Sequence, residues 1–228
     1  MKINPDKSNE DRRDVPAREF KGSKVLAHRL AQTNISANMI SVFGVIAAIL
    51  ASLAFLATPE TTELTRRILW ISAGLFIGLR LLCNMLDGMV AVEWGKSSPV
   101  GALYNEIPDR LSDFIILLGA GYSLGGNVNL GFLAAFTAVF TAYVRVAAKS
   151  VGAPSDFGGP MAKPQRMAIL ILCTAYLGFT PESWHFVWGE SNFGLISVAL
   201  GLITLGSIVT AFLRIRRAAY YLNTHPVQ

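Results

Sequence analysis

Charge is scarce in this sequence. Of its 228 residues only 15% are Asp, Glu, Lys or Arg, against roughly 25% in an average soluble domain. A soluble helical bundle would have too few charged side chains to cover its outside. Cysteine and histidine are sparse too, two and three residues. Cys83 and Cys173 stand inside apolar runs without C-x-x-C or Cys/His spacing, so they read as small buried hydrophobes. His28, His185 and His225 lie in tail or loop contexts without a carboxylate partner, and none is assigned a catalytic role. The first 38 residues hold no apolar h-region, so no cleavable signal peptide is expected. Internal repeats and low-complexity tracts are absent, and one domain is the simplest count.

What the chain has in quantity is apolar residues, 52% of the total, with a mean hydropathy of +0.45. They gather in blocks near the roughly 20 residues that a helix needs to cross a bilayer. The pattern predicts an all-α, integral-membrane bundle of six transmembrane helices at about 39–57, 68–91, 104–126, 129–149, 165–180 and 193–213. The basic residues fall unevenly between the intervening loops. Lys2, Lys7, Arg12, Arg13, Arg18, Lys21, Lys24 and Arg29 precede the first span; Lys96 and Arg110 flank the second connection. Lys149, Lys163 and Arg166 flank the fourth, and Arg214, Arg216 and Arg217 follow the sixth, whereas Arg66 and Arg67 alone stand on the opposite side. The positive-inside rule then puts both termini in the cytoplasm of a multi-pass protein of the cell inner membrane. Membrane lipids account for the net charge of +5, so no nucleic acid is expected as a partner.

Residues 16–33 alternate basic residues with Phe20, Val25, Leu26 and Leu30 at near-helical spacing, which predicts an N-terminal interfacial amphipathic helix. The tryptophans at 70, 94, 184 and 188 fall near span ends, as interfacial anchors do. The expected division is a cytoplasmic tail and juxtamembrane helix at 1–38, a transmembrane domain at 39–217 and a cytoplasmic tail at 218–228.

Against this background the stretch NMLDGMVAVEWGKSSPVGALYNEIPDRLSD, residues 84–113, is unusual. An ionisable residue beside or inside a span is costly and points to function. Asn84, Asp87 and Ala91 share one face at the end of the second span; Gly101, Asn105, Asp109 and Asp113 share one face at the start of the third. A short turn, WGKSSPVG, would bring the two faces together. Facing oxygen ligands suit a hard divalent cation, and the lack of His or Cys argues against zinc or a redox metal. Magnesium bound by few carboxylates completes its shell with phosphate oxygens, so a phosphate-bearing substrate is expected. The other reading of the same residues is a set of ion pairs, with Asp109 and Asp113 against Arg110, Arg145 or Lys163.

Asp87, Gly88, Ala91, Gly101, Asn105 and Asp109 resemble the signature of the CDP-alcohol phosphatidyltransferase family, D-x-x-D-G-x-x-A-R-x8-G-x-x-x-D-x-x-x-D, with every gap matched. ANMIS at 37–41 is similar to the family's entry to the first span, and AYVR at 142–145 to its S-Y-x-R element. The resemblance implies a membrane transferase of phospholipid synthesis that moves a phosphatidyl-type group from a CDP-linked lipid donor to an alcohol acceptor and releases CMP. It also implies a two-metal magnesium site in which manganese could substitute, with Asp109 as general base. Asp87, Asp109, Asn84, Asn105 and Asp113 are the implied metal ligands. Asn38, Ser41, Gly88, Ala91 and Gly101 would line the CDP pocket; Arg145, Lys163 and Arg166 would face the acceptor; and a homodimer is allowed.

Three positions depart from the pattern: Asn84 and Asn105 stand for aspartates and Val92 for the arginine. Asp113 or Glu106 could restore a charge. A relative that binds CDP-lipid with weakened or lost catalysis is the alternative implied by those departures. A cation-relay transporter fits less well, because the carboxylates sit at one membrane face and not near the midplane.

Overall fold

Local signals start the helices. The Ser36 hydroxyl accepts a hydrogen bond from the Met39 amide at 3.2 Å, satisfying one of the donors that a helix start leaves open. Asn127 accepts likewise from the Leu130 amide at 3.0 Å. Pro164 sits in the first turn of its helix, where its missing N–H is no loss. The computed structural model describes residues 21–93, 100–188 and 193–225. Among these residues it is mostly helical, with seven α-helices: α1 (Lys21–Ala31), α2 (Ala37–Ala57), α3 (Glu63–Glu93), α4 (Gly101–Gly121), α5 (Val128–Ser150), α6 (Lys163–Phe179) and α7 (Leu195–Thr224).

Helix α2 packs against α3 and α4, α3 against α6, and α5 against both α4 and α7. Large side chains fill the centre, where Phe55 and Trp70 meet edge to face with centroids 5.9 Å apart. Small residues set the close crossings. A Cβ added at Gly119 would lie 2.2 Å from Ser52 Oγ and 2.8 Å from Ser52 Cα, so α2 and α4 can approach only with glycine there. The outside is apolar as well: Phe43, Leu53, Leu75, Phe136, Leu205 and Phe212 are all exposed. Helices α2, α3, α5 and α7 are long and apolar enough to cross a membrane. An apolar core under an apolar exterior is what a bilayer permits and water does not.

Several expectations shift in detail. Helix α3 begins at Glu63, five residues ahead of the expected 68, and α4 ends at Gly121 and not at 126. Gly125, at φ 71°, belongs to the turn that follows α4. Helix α7 continues through Arg214, Arg216 and Arg217 to Thr224, so most of the segment read as a tail from 218 extends the last helix. Helix α1 falls within the expected 16–33 and docks Ala27 against the end of α3, beside Cys83, Leu86 and Val90; residues 16–20 lie outside the described ones. Trp70 is 2% exposed and belongs to the core, not to an interfacial rim, while Trp184 and Trp188 are exposed and Trp94 lies outside the described residues. A two-residue hairpin, β1 (Val187–Trp188) paired antiparallel with β2 (Phe193–Gly194), had no signal in the sequence pattern.

Candidate active site

The helical spacing does bring the two polar faces together. Asn84 and Asp87 near the end of α3 meet Asn105 and Asp109 near the start of α4, and Ser41 in the first turns of α2 closes the third side. A small open cleft is lined by Ser41, Gly44, Arg80, Asn84, Asp87, Asn105, Pro108, Asp109 and Ser112. The Ser41 hydroxyl donates to Asp87 Oδ2 at 2.6 Å. Asp87 is 4% exposed, and its other oxygen, Oδ1, is buried without a hydrogen-bond partner. Asn84 Nδ2 donates to Asn105 Oδ1 at 3.2 Å, joining the two helices where the family pattern has aspartates.

Cations hold the rest of the cluster. Arg80 Nη2 donates to Asp109 Oδ1 at 2.8 Å and lies 3.6 Å from Asp113 Oδ1. Lys163 Nζ donates to Asn84 Oδ1 at 2.5 Å and pairs with Asp109 Oδ2 at 2.7 Å. Arg166 Nη2 donates to Asp113 Oδ2 at 3.0 Å, and Arg166 and Asp113 are both buried. Arg145 Nη2 donates to Glu106 Oε1 at 2.5 Å while its guanidinium lies over the Phe157 ring, 4.8 Å from the centroid. Glu106 also pairs with Arg110.

Ser41, Asn84, Asp87, Asn105 and Asp109 therefore converge on one cleft. Asp113 does not line it: its carboxylate is set between Arg166 and Arg80, one helical turn beyond Asp109. Arg145 and Arg166 flank the cluster with their charges already met by Glu106 and Asp113. Asn38, Gly88, Ala91 and Gly101 are not among the cleft-lining residues, and the turn at 94–99 lies outside the described ones. Arg80 was not singled out from the sequence, although it stands on the same α3 face as Asn84 and Asp87, at i−4 and i−7.

The donor set fits a divalent cation on one side of the cleft only. Asp87 Oδ1 is a buried carboxylate oxygen without a partner, and such an oxygen is costly unless a cation or donor meets it. On the other side, Asn84 Oδ1 and Asp109 Oδ2 already hold an ammonium. Among the described residues no group of three or more His, Cys, Asp or Glu side chains could hold a metal ion.

Fold and site together define a helical membrane protein with a polar, phosphate-compatible cleft where the ends of three helices meet. Residues 34–205 match the model of the CDP-alcohol phosphatidyltransferase family, and the chain belongs to that family, whose members move a phosphatidyl-type group from a CDP-linked lipid to an alcohol. Among curated relatives, the inner membrane protein YnbA of Escherichia coli is 24% identical over 75% of this chain and 84% of its own length. The phosphatidylinositol phosphate synthase of Mycobacteroides abscessus is 24% identical over 76% of this chain and 79% of its own. Among solved structures, the phosphatidylinositol phosphate synthase of Mycobacterium tuberculosis with CDP-DAG bound superposes with a TM-score of 0.66 at 20% identity, covering 87% of this chain and 94% of that one. The same enzyme in complex with manganese and citrate gives a TM-score of 0.66. The likeness is one of fold.

Proposed function

We propose that this chain is a magnesium-dependent transferase of phospholipid synthesis in a bacterial inner membrane, transferring a phosphatidyl-type group from a CDP-linked lipid to an alcohol with release of CMP. The observation that carries the reading is Asp87: a buried carboxylate with one oxygen unpartnered, in a cleft shared with Asn84, Asn105 and Asp109 at the family's own spacing. In the proposed topology α2 to α7 all span, both termini are cytoplasmic, and α1 lies on the cytoplasmic leaflet. Helix α4 is less apolar than α2 because it carries Glu106, Asp109, Arg110 and Asp113, and α6 is the shortest of the six at 17 residues. At 1.5 Å per residue α6 still covers about 26 Å, close to the roughly 30 Å hydrocarbon core.

A divalent cation, when bound at Asp87, supplies charge neutralisation for the diphosphate and the departing CMP. Ser41 fixes Asp87 by occupying Oδ2, so that Oδ1 is the oxygen turned to that task. Arg80 pins Asp109 through Oδ1, which leaves Oδ2 as the oxygen to receive the acceptor's proton. The acceptor hydroxyl must exchange with Lys163 for that oxygen. Its oxygen then attacks the lipid-bearing phosphorus, the bond to the CMP oxygen breaks, and CMP leaves with the electron pair. Gly88, Ala91, Asn38 and Gly101 surround the donor's cytidine end. Arg145 and Arg166, together with Lys163, offer an anionic group on the acceptor a place in exchange for their own carboxylates.

The ammonium between Asn84 and Asp109 favours a second reading, a relative that binds CDP-lipid and turns it over feebly. Mass spectrometry of the lipids gained on expression separates the two. A new phospholipid class that disappears with Asp109→Asn supports the transferase; an unchanged lipid profile in both supports the binding protein.

A further inference from the structure

The family pattern places four aspartates where this chain has two aspartates and two asparagines. The charge lost at Asn84 and Asn105 is not made good by another acid. Asp113 is clamped between two arginines, and Glu106 between Arg110 and Arg145. Instead the cluster holds a cation. Lys163, from the first turn of α6, reaches across to place Nζ 2.5 Å from Asn84 Oδ1 and 2.7 Å from Asp109 Oδ2. Both belong to residues that the family resemblance implies as metal ligands. An ammonium has no acceptor and binds as a compact point charge. Held between an amide oxygen and a carboxylate, it blocks the approach of a second divalent ion by repulsion and by taking the ligands.

We propose that Lys163 is a built-in cation in place of one metal ion, so that the centre binds a single divalent ion at Asp87. The proposal rests on the transferase reading for its substrate but on the side-chain geometry for its metal count. The two asparagines and the lysine then form one change. Two positions lose a negative charge, and one tethered positive charge replaces a mobile double one. A diphosphate entering the cleft meets a divalent ion beside Asp87 and the Lys163 ammonium beside Asp109. Lysine suits this better than arginine because its charge is compact and its stem lets it swing from Asp109 to the substrate.

The test is manganese stoichiometry on the full chain in detergent micelles, read by the electron-paramagnetic-resonance signal of free Mn²⁺, with CMP release from CDP-diacylglycerol measured in parallel in the presence of a panel of alcohol acceptors that includes inositol phosphate. Wild type is expected to bind one Mn²⁺ per chain and Asp87→Asn none. Lys163→Met combined with Asn84→Asp and Asn105→Asp is expected to bind two. Lys163→Arg keeps the charge and should keep the count at one, which guards against loss of fold in the neutral variant. CMP release should depend on metal concentration to first order in wild type and approach second order in the triple variant. Two Mn²⁺ bound by wild type, with CMP released, would overturn the Lys163 assignment and leave the transferase standing. One Mn²⁺ bound by wild type with no CMP released at any metal concentration would support the metal count and sink the transferase. Lys163→Met with an unchanged isotherm and unchanged turnover would remove the inference outright.

Discussion

Replacing Arg80 with methionine should destabilise the bundle severely, because Arg80 is a buried cation between two carboxylates. Its side chain is 2% exposed, Nη2 lies 2.8 Å from Asp109 Oδ1, and Asp113 Oδ1 is 3.6 Å away. Asp113, 2% exposed, would keep only Arg166. Removing one partner of a buried pair costs about 3–5 kcal/mol because the other charge is stranded. The lower end applies here, since Arg80 Nε and Nη1 are themselves buried without partners and their penalty leaves with the side chain. About 3 kcal/mol is roughly a hundredfold in the unfolding equilibrium. The assay is unfolding of the purified protein in mixed micelles by added SDS, followed by circular dichroism. The double-mutant cycle Arg80→Met/Asp113→Asn should show a coupling of roughly 0.5–3 kcal/mol. Unfolding of Arg80→Met at the wild-type SDS fraction would refute the reasoning, as would additive losses in the cycle.

Gly119→Ala should lower stability by about 1–3 kcal/mol, because its new Cβ meets the Ser52 backbone as well as its hydroxyl; an unchanged unfolding midpoint would mean that α2 and α4 pack less tightly. Asp109→Asn should leave CDP-lipid binding nearly intact and cut turnover by about 10²–10⁴-fold; turnover at the wild-type rate would remove Asp109 from the base role. Single cysteines at the exposed positions Asn34 and Glu60 should be labelled from opposite sides of the membrane; labelling from one side would defeat the topology drawn from loop charge.

Hydropathy located the six helices α2 to α7, of which α2, α3, α5 and α7 are long and apolar enough to cross a membrane. Helix ends were less legible. The last helix runs on through Arg214, which is buried and donates to the Gly158 and Thr141 carbonyls, and through the exposed Arg216 and Arg217, arginine being a good helix former. The motif spacing brought Asn84, Asp87, Asn105 and Asp109 onto one cleft, because steps of three and four residues keep a single helix face. What spacing could not give was the set of cations. Arg80 is the basic residue deepest in an apolar run, and the rule that intramembrane charges are functional applies to it as much as to the aspartates. Arg80 was the cation left out of the cluster, whereas the Lys163–Asp109 pair was among the ion pairs expected. Lys163 and Arg166 were placed near the site, but which carboxylate each one meets depends on how α6 packs on α3, and no local pattern encodes that. Trp70 looked like an anchor from its place near a span end; its packing on Phe55 is a tertiary fact.

The central claim is that Asp87 anchors a divalent cation in a cleft that transfers a lipid phosphate. Its most direct test is magnesium-dependent release of CMP from CDP-diacylglycerol by the purified protein with a panel of alcohol acceptors added, run beside Asp87→Ala. Release by wild type is expected to stop when EDTA is added, and none is expected from Asp87→Ala. Release that persists in EDTA, or in Asp87→Ala at the wild-type rate, would contradict it.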